Sequence, residues 1–292
     1  MPTSVEKRAP AKVNLLLNVL GRRQDGFHEL ETVLYPVALF DTLRFTKTNR
    51  GVQFTCTDAR IKNDTTNLVV RAATAFFAAS NIAPAVNVQL EKRIPIGAGL
   101  GGGSSDAAAT LLALNELFDL PLSKDALAQM AAALGSDVAF FLQDKPALAT
   151  GRGEQIQPVE PFRSLAGKFL FLVNPGFGVS TAWAYQQLSR FPHALNGKPG
   201  RAKKLVELLQ NCDLQTASAE FYNSLEVPVF HKYPILAIYK EFLRANGAQA
   251  TLMSGSGSTV FAIFDTIELA KQVETQFKQK FGAACWTAIL RL

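Results

Sequence analysis

The chain has 292 residues, a formal net charge of +6, three cysteines and a 48% hydrophobic composition. That length suffices for one or two globular domains with a sizeable core, and with 18% charged residues the chain is too apolar for disorder. The basic balance suits a nucleic acid, an anionic membrane surface or an acidic metabolite, and charge by itself does not choose among them.

In chain order, residues 1–10 are polar and lack the apolar region of a secretion signal. Residues 11–20 then alternate, with Val13, Leu15, Leu17 and Val19 on one face and Lys12, Asn14, Leu16 and Asn18 on the other. That is the period of a half-buried strand, and it projects Lys12 and Asn14 the same way. A second apolar stretch covers 32–45, a helix rich in alanine and phenylalanine is predicted over 67–80, and Val86, Val88 and Leu90 alternate as a strand. The apolar run 68–79 is interrupted by Arg71 and falls short of the ~20 apolar residues of a membrane span.

The most unusual segment follows: Pro95-Ile96-Gly97-Ala98-Gly99-Leu100-Gly101-Gly102-Gly103-Ser104-Ser105-Asp106, which runs into strong helix formers over 107–118. Ser104 or Ser105 is placed to cap that helix, and Asp106 suits its first turn. A second helix is predicted over 123–134 with Gly135 as a left-handed terminator, followed by the turn Gly135-Ser136-Asp137-Val138. Glycine, proline and charge cluster over 150–161, where a domain boundary is placed, giving domains 1–160 and 161–292. Beyond it a strand is predicted over 168–173, helices over 181–188, 202–210 and 235–246, and strands over 251–253 and 259–264 flanking Ser254-Gly255-Ser256-Gly257-Ser258. Asp265 and Glu268 resemble a capping box for a last helix, and 285–292 closes as a strand. The second half therefore reads as α+β with helices on one face of a sheet. Cys56, Cys212 and Cys285 form no CxxC pair and read as reduced, mostly buried thiols of a cytoplasmic protein.

Gly97-Ala98-Gly99-Leu100-Gly101-Gly102 satisfies the letters of the GxGxxG fingerprint, so a nicotinamide-dependent Rossmann dehydrogenase is weighed. That motif needs a strand after its helix, and here another helical pattern follows Leu120-Pro121. A Walker A loop fails because Gly103 stands where its lysine belongs. The common physics survives both failures. Five glycines over 97–103 let backbone N–H groups approach a ligand, and the helix they open carries ~+0.5 charge at its N-terminus, so the segment is an anion cradle suited to phosphates. A basic RNA-binding module is the non-enzymatic alternative, but Lys and Arg are dispersed rather than interleaved with aromatics.

Pro10-Ala11-Lys12-Val13-Asn14-Leu15, the Pro95-to-Ser105 loop and the Ser254-to-Ser258 turn together resemble the three motifs of the GHMP kinases. Within that superfamily, Gly21-Arg22-Arg23-Gln24-Asp25-Gly26-Phe27-His28-Glu29-Leu30 resembles the signature of the 4-diphosphocytidyl-2-C-methyl-D-erythritol kinase family, and Gly151-Arg152-Gly153-Glu154 and Asn223-Ser224-Leu225-Glu226 also match its pattern. The sequence departs from that pattern at Phe27, where tyrosine is usual, and at Ala139, where proline is usual.

The resemblance implies a two-domain α+β fold, an N-terminal domain like domain 2 of ribosomal protein S5 and a ferredoxin-like C-terminal domain, with the active site in the cleft. It implies an ATP- and Mg²⁺-dependent small-molecule kinase of isoprenoid precursor synthesis, in which Asp137 accepts the substrate hydroxyl's proton and Lys12 keeps Asp137 ionised. Pro95, Ile96, Gly97, Ala98, Gly99, Leu100, Gly101, Gly102, Gly103, Ser104 and Ser105 would bind ATP, with Ser105 as a magnesium ligand. Asn14, Phe27, His28, Arg152, Thr181 and Tyr185 would bind a cytidine diphosphate ester. The expected partners are small molecules, not nucleic acid or membrane, with the protein a monomer or homodimer. A homoserine, mevalonate or sugar kinase of the same superfamily is the nearest alternative, and it would lack the 22–30 signature.

Overall fold

The computed structural model describes residues 3–195 and 197–292. The chain divides into two compact units, one of Met1–Ala11, Leu39–Ile94 and Gly101–Asp144, the other of Lys12–Ala38, Pro95–Leu100 and Lys145–Leu292. This division is interleaved, unlike a linear one after residue 160, because β1 (Ser4–Arg22) and β2 (His28–Lys47) each run from one unit into the other.

In the first unit the starts of β1 and ends of β2 are joined by β3 (Gly51–Cys56), α1 (Leu68–Ser80), β4 (Ala85–Glu91), α2 (Gly102–Leu117) and α3 (Lys124–Leu134). The strand order is β3-β4-β2-β1, with β3 parallel to β4 and β4 antiparallel to β2. Helix α1 forms where Asn67 caps it, its side chain accepting from the Val69 N–H, and it buries Val69, Ala72, Ala73, Phe76 and Phe77, the i, i+3/i+4 stripe of an amphipathic helix. That stripe packs against α2. Helix α2 is buried nearly all round, which its small alanines permit.

The second unit continues with β5 (Ala147–Thr150), β6 (Gln155–Pro158), β7 (Phe169–Asn174), α4 (Thr181–Gln187), α5 (Pro192–Leu195), α6 (Arg201–Asn211) and α7 (Leu214–Ser218). It ends with β8 (Tyr222–Asn223), α8 (Glu226–Lys232), α9 (Pro234–Ala245), β9 (Ala250–Met253), β10 (Val260–Phe264), α10 (Ile267–Phe281) and β11 (Trp286–Arg291). One sheet in this unit has the order β6-β5-β2-β1-β8. The other has the order β11-β7-β10-β9 with every neighbour antiparallel, the β-α-β-β-α-β arrangement of ferredoxin-like domains. Helices α9 and α10 pack on that sheet and bury Leu236, Tyr239, Leu243, Val273 and Phe277 with Phe171, Val173 and Ala262. Phe277 is fully buried, so Phe277→Ala costs about 3–5 kcal/mol in transfer and cavity terms.

Several expectations need correction. Strand β1 is buried on both faces rather than half-buried: Lys12 and Asn14 are each 3% exposed and Asn18 and Leu16 fully buried. The segment placed at a domain boundary, 150–161, holds the turn and second strand of the β5–β6 hairpin, with Gly151 and Gly153 at φ +71° and +105° in the turn. Neither Ser104 nor Ser105 caps α2, because the helix begins earlier, at Gly102, with Gly101 in the left-handed N-cap position and no side-chain cap. Asp106 consequently lies beyond the first turn. Gly135 ends α3 in extended backbone, φ 174°, and Thr266 rather than Asp265 caps α10 by accepting from the Leu269 N–H. Strand β3, of 6 residues, is not among the predicted elements, although Val52, Phe54 and Cys56 alternate along it. Of the three thiols, Cys285 is buried, Cys56 half-buried and Cys212 exposed.

Candidate active site

The glycine loop folds by alternation. Gly97, Gly99 and Gly101 take φ of +64°, +78° and +72°, and between them Ala98 and Leu100 turn their side chains into the core, 2% and 1% exposed. The loop's carbonyls are held: that of Gly97 accepts from the Val179 N–H at 3.3 Å, that of Ala98 from Thr259 at 3.2 Å and that of Leu100 from Lys12 at 2.9 Å. A Cβ on Gly99 would fall on the Ser254 carbonyl oxygen, so the first, second and third motifs meet there. Ile96, Gly97 and Gly103 are exposed, Pro95 and Ser104 half-buried.

At the start of α2 the first-turn N–H groups have no side-chain cap, and the helix dipole points its positive end at the glycines, the physical basis of phosphate binding at helix N-termini. Below them lies a buried ionic cluster in the first unit. Lys92 Nζ donates to Asp41 and, at 2.8 Å, to Asp106, while Asp41 Oδ1 accepts from the N–H groups of Arg93 and Ile94 at 2.6 and 2.8 Å. Among the described residues, Ser105 Oγ and Asp106 Oδ1 are buried with no hydrogen-bond partner. Burial pushes the Asp106 carboxyl up to about 7 against the pull of Lys92.

Within the second unit Lys12 and Asn14 project together from β1, as the alternation predicted. The Lys12 ammonium donates to Asn14 Oδ1 at 2.6 Å and to the Gly99 carbonyl at 3.1 Å. Asn14 Nδ2 donates to Thr32 Oγ1 at 2.9 Å, and Thr32 Oγ1 donates to the Leu16 carbonyl. The Ser254 hydroxyl donates to the Gly99 carbonyl at 2.9 Å, and the position of a Cβ on Gly255 lies 3.3 Å from Lys12 Nζ. A cation is therefore fixed against the phosphate loop by a chain of hydrogen-bonded polar groups. Thr181, the first residue of α4, meets Ser256 of the same turn, Oγ1 to Oγ at 2.9 Å.

The 21–30 signature forms the β1–β2 turn. Arg23 N–H donates to the Phe27 carbonyl at 2.7 Å, Arg23 Nη1 pairs with Glu29 at 2.8 Å, and Asp25 accepts from the Phe27 N–H at 3.1 Å. This closure holds Phe27 outward, 51% exposed, beneath the Arg152 guanidinium at 4.7 Å from the ring centre. Next to it His28 and Tyr185 have ring centres 5.1 Å apart, inclined by 33°. Burial, and then the charge of Arg22, holds the His28 imidazole below its usual range. The fold thus collects Asn14, Phe27, His28, Arg152, Thr181 and Tyr185 in one unit. Asp137 lies in the other, half-buried in the turn that follows α3. Thr32, Ser254 and Asn223 are not among the predicted site residues; for Ser254 and Asn223 the signal is the motif each sits in, Ser254 to Ser258 and Asn223 to Glu226, whereas Thr32 is marked by no motif.

The GHMP kinases N terminal domain matches residues 67–145 and the GHMP kinases C terminal domain residues 202–283. The chain is 39% identical over 277 residues to a 4-diphosphocytidyl-2-C-methyl-D-erythritol kinase of Geobacter sp. (strain M21), with 94% of each chain covered. It belongs to the family of 4-diphosphocytidyl-2-C-methyl-D-erythritol kinases. A relative so named in Desulfotalea psychrophila (strain LSv54 / DSM 12343) is 42% identical over 269 residues, covering 90% of this chain and 86% of the relative. A crystal structure of 4-(cytidine 5'-diphospho)-2C-methyl-D-erythritol kinase matches at TM-score 0.77 and 34% identity over 99% of this chain and 100% of that one. Homoserine kinase from Cytophaga hutchinsonii, 20% identical with a TM-score of 0.71 over 99% of this chain and 94% of that one, shares the fold. Family membership makes the protein a phosphotransferase that uses ATP and an alcohol acceptor. It also sets aside the dehydrogenase, in agreement with α3 following α2 where a Rossmann unit requires a strand. No helix among the described residues is long and apolar enough to cross a membrane.

Proposed function

We propose that the protein transfers the γ-phosphoryl group of ATP to the 2-hydroxyl of 4-diphosphocytidyl-2-C-methyl-D-erythritol, in the cytoplasm, within the methylerythritol phosphate route to isoprenoid precursors. The observation that carries the reading is the exposed Phe27 under Arg152, beside the His28–Tyr185 pair and in the same unit as Lys12. A flat aromatic face supports stacking of a pyrimidine, a neutral imidazole supports reading of its edge, and a guanidinium supports a diphosphate.

In the reaction the alcohol oxygen attacks the γ-phosphorus, the bond from that phosphorus to the bridging β-phosphate oxygen breaks, and ADP leaves. Asp137 accepts the hydroxyl proton, in keeping with the family motif it occupies. Lys12, held by Asn14 and the Gly99 carbonyl, presents its ammonium where charge develops on the transferred group. Residues 95–105 hold the nucleotide's phosphates through backbone N–H groups and the α2 N-terminus. The buried Ser105 Oγ, which has no hydrogen-bond partner, is a hard oxygen donor that would help hold Mg²⁺, and the ion would neutralise phosphate charge there. General-base assistance contributes ~10²–10⁴ in rate, and positioning supplies much of the remainder.

The test is a coupled ADP-release assay with the diphosphocytidyl substrate beside homoserine and mevalonate. The reading requires kcat/KM for the first to exceed the others by at least about a hundredfold, the discrimination expected of a site whose buried polar groups go unpaired with the wrong ligand. Comparable turnover of homoserine or mevalonate would refute it.

A further inference from the structure

Asn223-Ser224-Leu225-Glu226 matches the family pattern and has no part in the chemistry above. Its geometry gives it one. Asn223 is 1% exposed and Ser224 and Leu225 are fully buried. The Asn223 carboxamide nitrogen donates to the carbonyls of Met253 and Gly255 at 2.8 and 2.7 Å, and its oxygen accepts from the Leu225 N–H at 2.9 Å. Glu226 Oε1 accepts from the Met253 N–H at 2.8 Å, and its other oxygen accepts from Lys240 Nζ at 2.7 Å. The two side chains therefore hold the backbone on both sides of Ser254. On the opposite side the same segment grips β1: the Ser224 N–H donates to the Leu17 carbonyl at 2.9 Å, and Ser224 Oγ accepts from the Val19 N–H at 3.0 Å.

One tetrapeptide thus ties the strand that carries Lys12 and Asn14 to the turn that carries Ser254 and Gly255. The Ser254 hydroxyl donates to the Gly99 carbonyl, the same oxygen that takes a hydrogen bond from the Lys12 ammonium. A shift of the turn is therefore a shift of the acceptor that locates that ammonium. An amide is the side chain of this size that offers two donors and an acceptor together, and at Asn223 all three are used.

We propose that Asn223, with Glu226, is a positioning residue that sets the Ser254–Gly255 turn against the phosphate loop and so places the Lys12 ammonium for phosphoryl transfer. It touches no substrate and acts through Ser254 and Gly99. The proposal rests on the reading in which Lys12 bears on the transferred phosphoryl group.

Asn223→Asp keeps the size and the acceptor but turns a carboxylate oxygen toward two carbonyl oxygens. Folded N223D should lose at least about tenfold in kcat, since an error of about 1 Å at a reacting group costs up to 10²-fold. The KM for the alcohol substrate should stay within about threefold, and the protein should keep a single cooperative melting transition. A kcat within about twofold of the parent, in protein with a native melting transition, overturns the proposal. Should N223D fail to fold, Glu226 decides the matter. Glu226→Gln keeps an acceptor for the Met253 N–H and should stay within about threefold of the parent in kcat, whereas Glu226→Ala should fall by at least about tenfold. Equal kcat in those two variants overturns it. Lys12→Met measured in parallel separates the two readings: full activity there removes the catalytic role of Lys12, whereas loss there with full activity in N223D removes only the positioning role.

Discussion

At Asp106 burial opposes ionisation more strongly than the Lys92 ammonium favours it, and Asp41 adds a second negative charge, so the carboxyl titrates at about 7 instead of 3.8. A raised folded-state value means that the group's contribution to stability is complete below the unfolded value and is lost as pH rises through about 7. Asp106→Asn removes that titration while leaving Lys92 paired with Asp41. Denaturant titrations between about pH 5 and about pH 8 should show the variant gaining on the parent as pH rises. A constant difference would mean that Asp106 is already ionised in the folded protein at the acid end. His28 shifts the opposite way, downward through burial and the nearby Arg22, so at neutral pH it offers one N–H donor and one acceptor to a base edge. His28→Ala should therefore erode discrimination between cytidine and uridine diphosphate substrates in kcat/KM, and if the variant discriminates as well as the parent, the base edge is read elsewhere.

The elements show why the sequence revealed some features and concealed others. Alternation over 11–20 placed Lys12 and Asn14 on one face, and they do meet, because a strand's period leaves no other choice. The same pattern misjudged burial, since Leu16 and Asn18 on the polar face are fully buried, and the Asn18 carboxamide donates to the Lys198 carbonyl, a partner 180 residues along the chain. Ser104 and Ser105 looked like caps because local propensity favours serine there, yet the helix starts among the glycines, where Gly101 can take a positive φ. Two glycine substitutions separate strain from collision. Gly26 and Gly99 have φ of +86° and +78°, but nothing lies within 4 Å of a Cβ on Gly26, whereas one on Gly99 meets the Ser254 carbonyl. Gly26→Ala should thus carry only the left-handed penalty of ~1–2 kcal/mol in stability. Gly99→Ala must move the loop, and kcat/KM should fall by at least about a hundredfold. Equal effects of the two on kcat/KM would deny the loop its dependence on the Ser254 turn.

Across the whole chain, the linear pattern located most helices and the antiparallel ferredoxin-like sheet's strands, because these are local. It missed that β1 and β2 serve both units, a property of length and pairing that no window of residues displays. Ligand linkage acts at this scale, since a nucleotide that binds only the folded protein stabilises it wherever its contacts lie. ATP at about 100 times its Kd adds ~2.7 kcal/mol, a rise in melting temperature of about 2–4 °C for each kcal/mol in a cooperative fold of 150–250 residues. That stabilisation is indifferent to proton transfer, so it tests the role of Asp137 apart from nucleotide binding. Asp137→Asn keeps shape and removes the proton acceptor. Its ATP-induced rise in melting temperature should match the parent's, while kcat falls by at least about a hundredfold, the low end of general-base catalysis. If the rise and kcat decline together, Asp137 supports the nucleotide site rather than the hydroxyl. If neither changes, the proton leaves by another route, and the catalytic assignment of Asp137 falls with it.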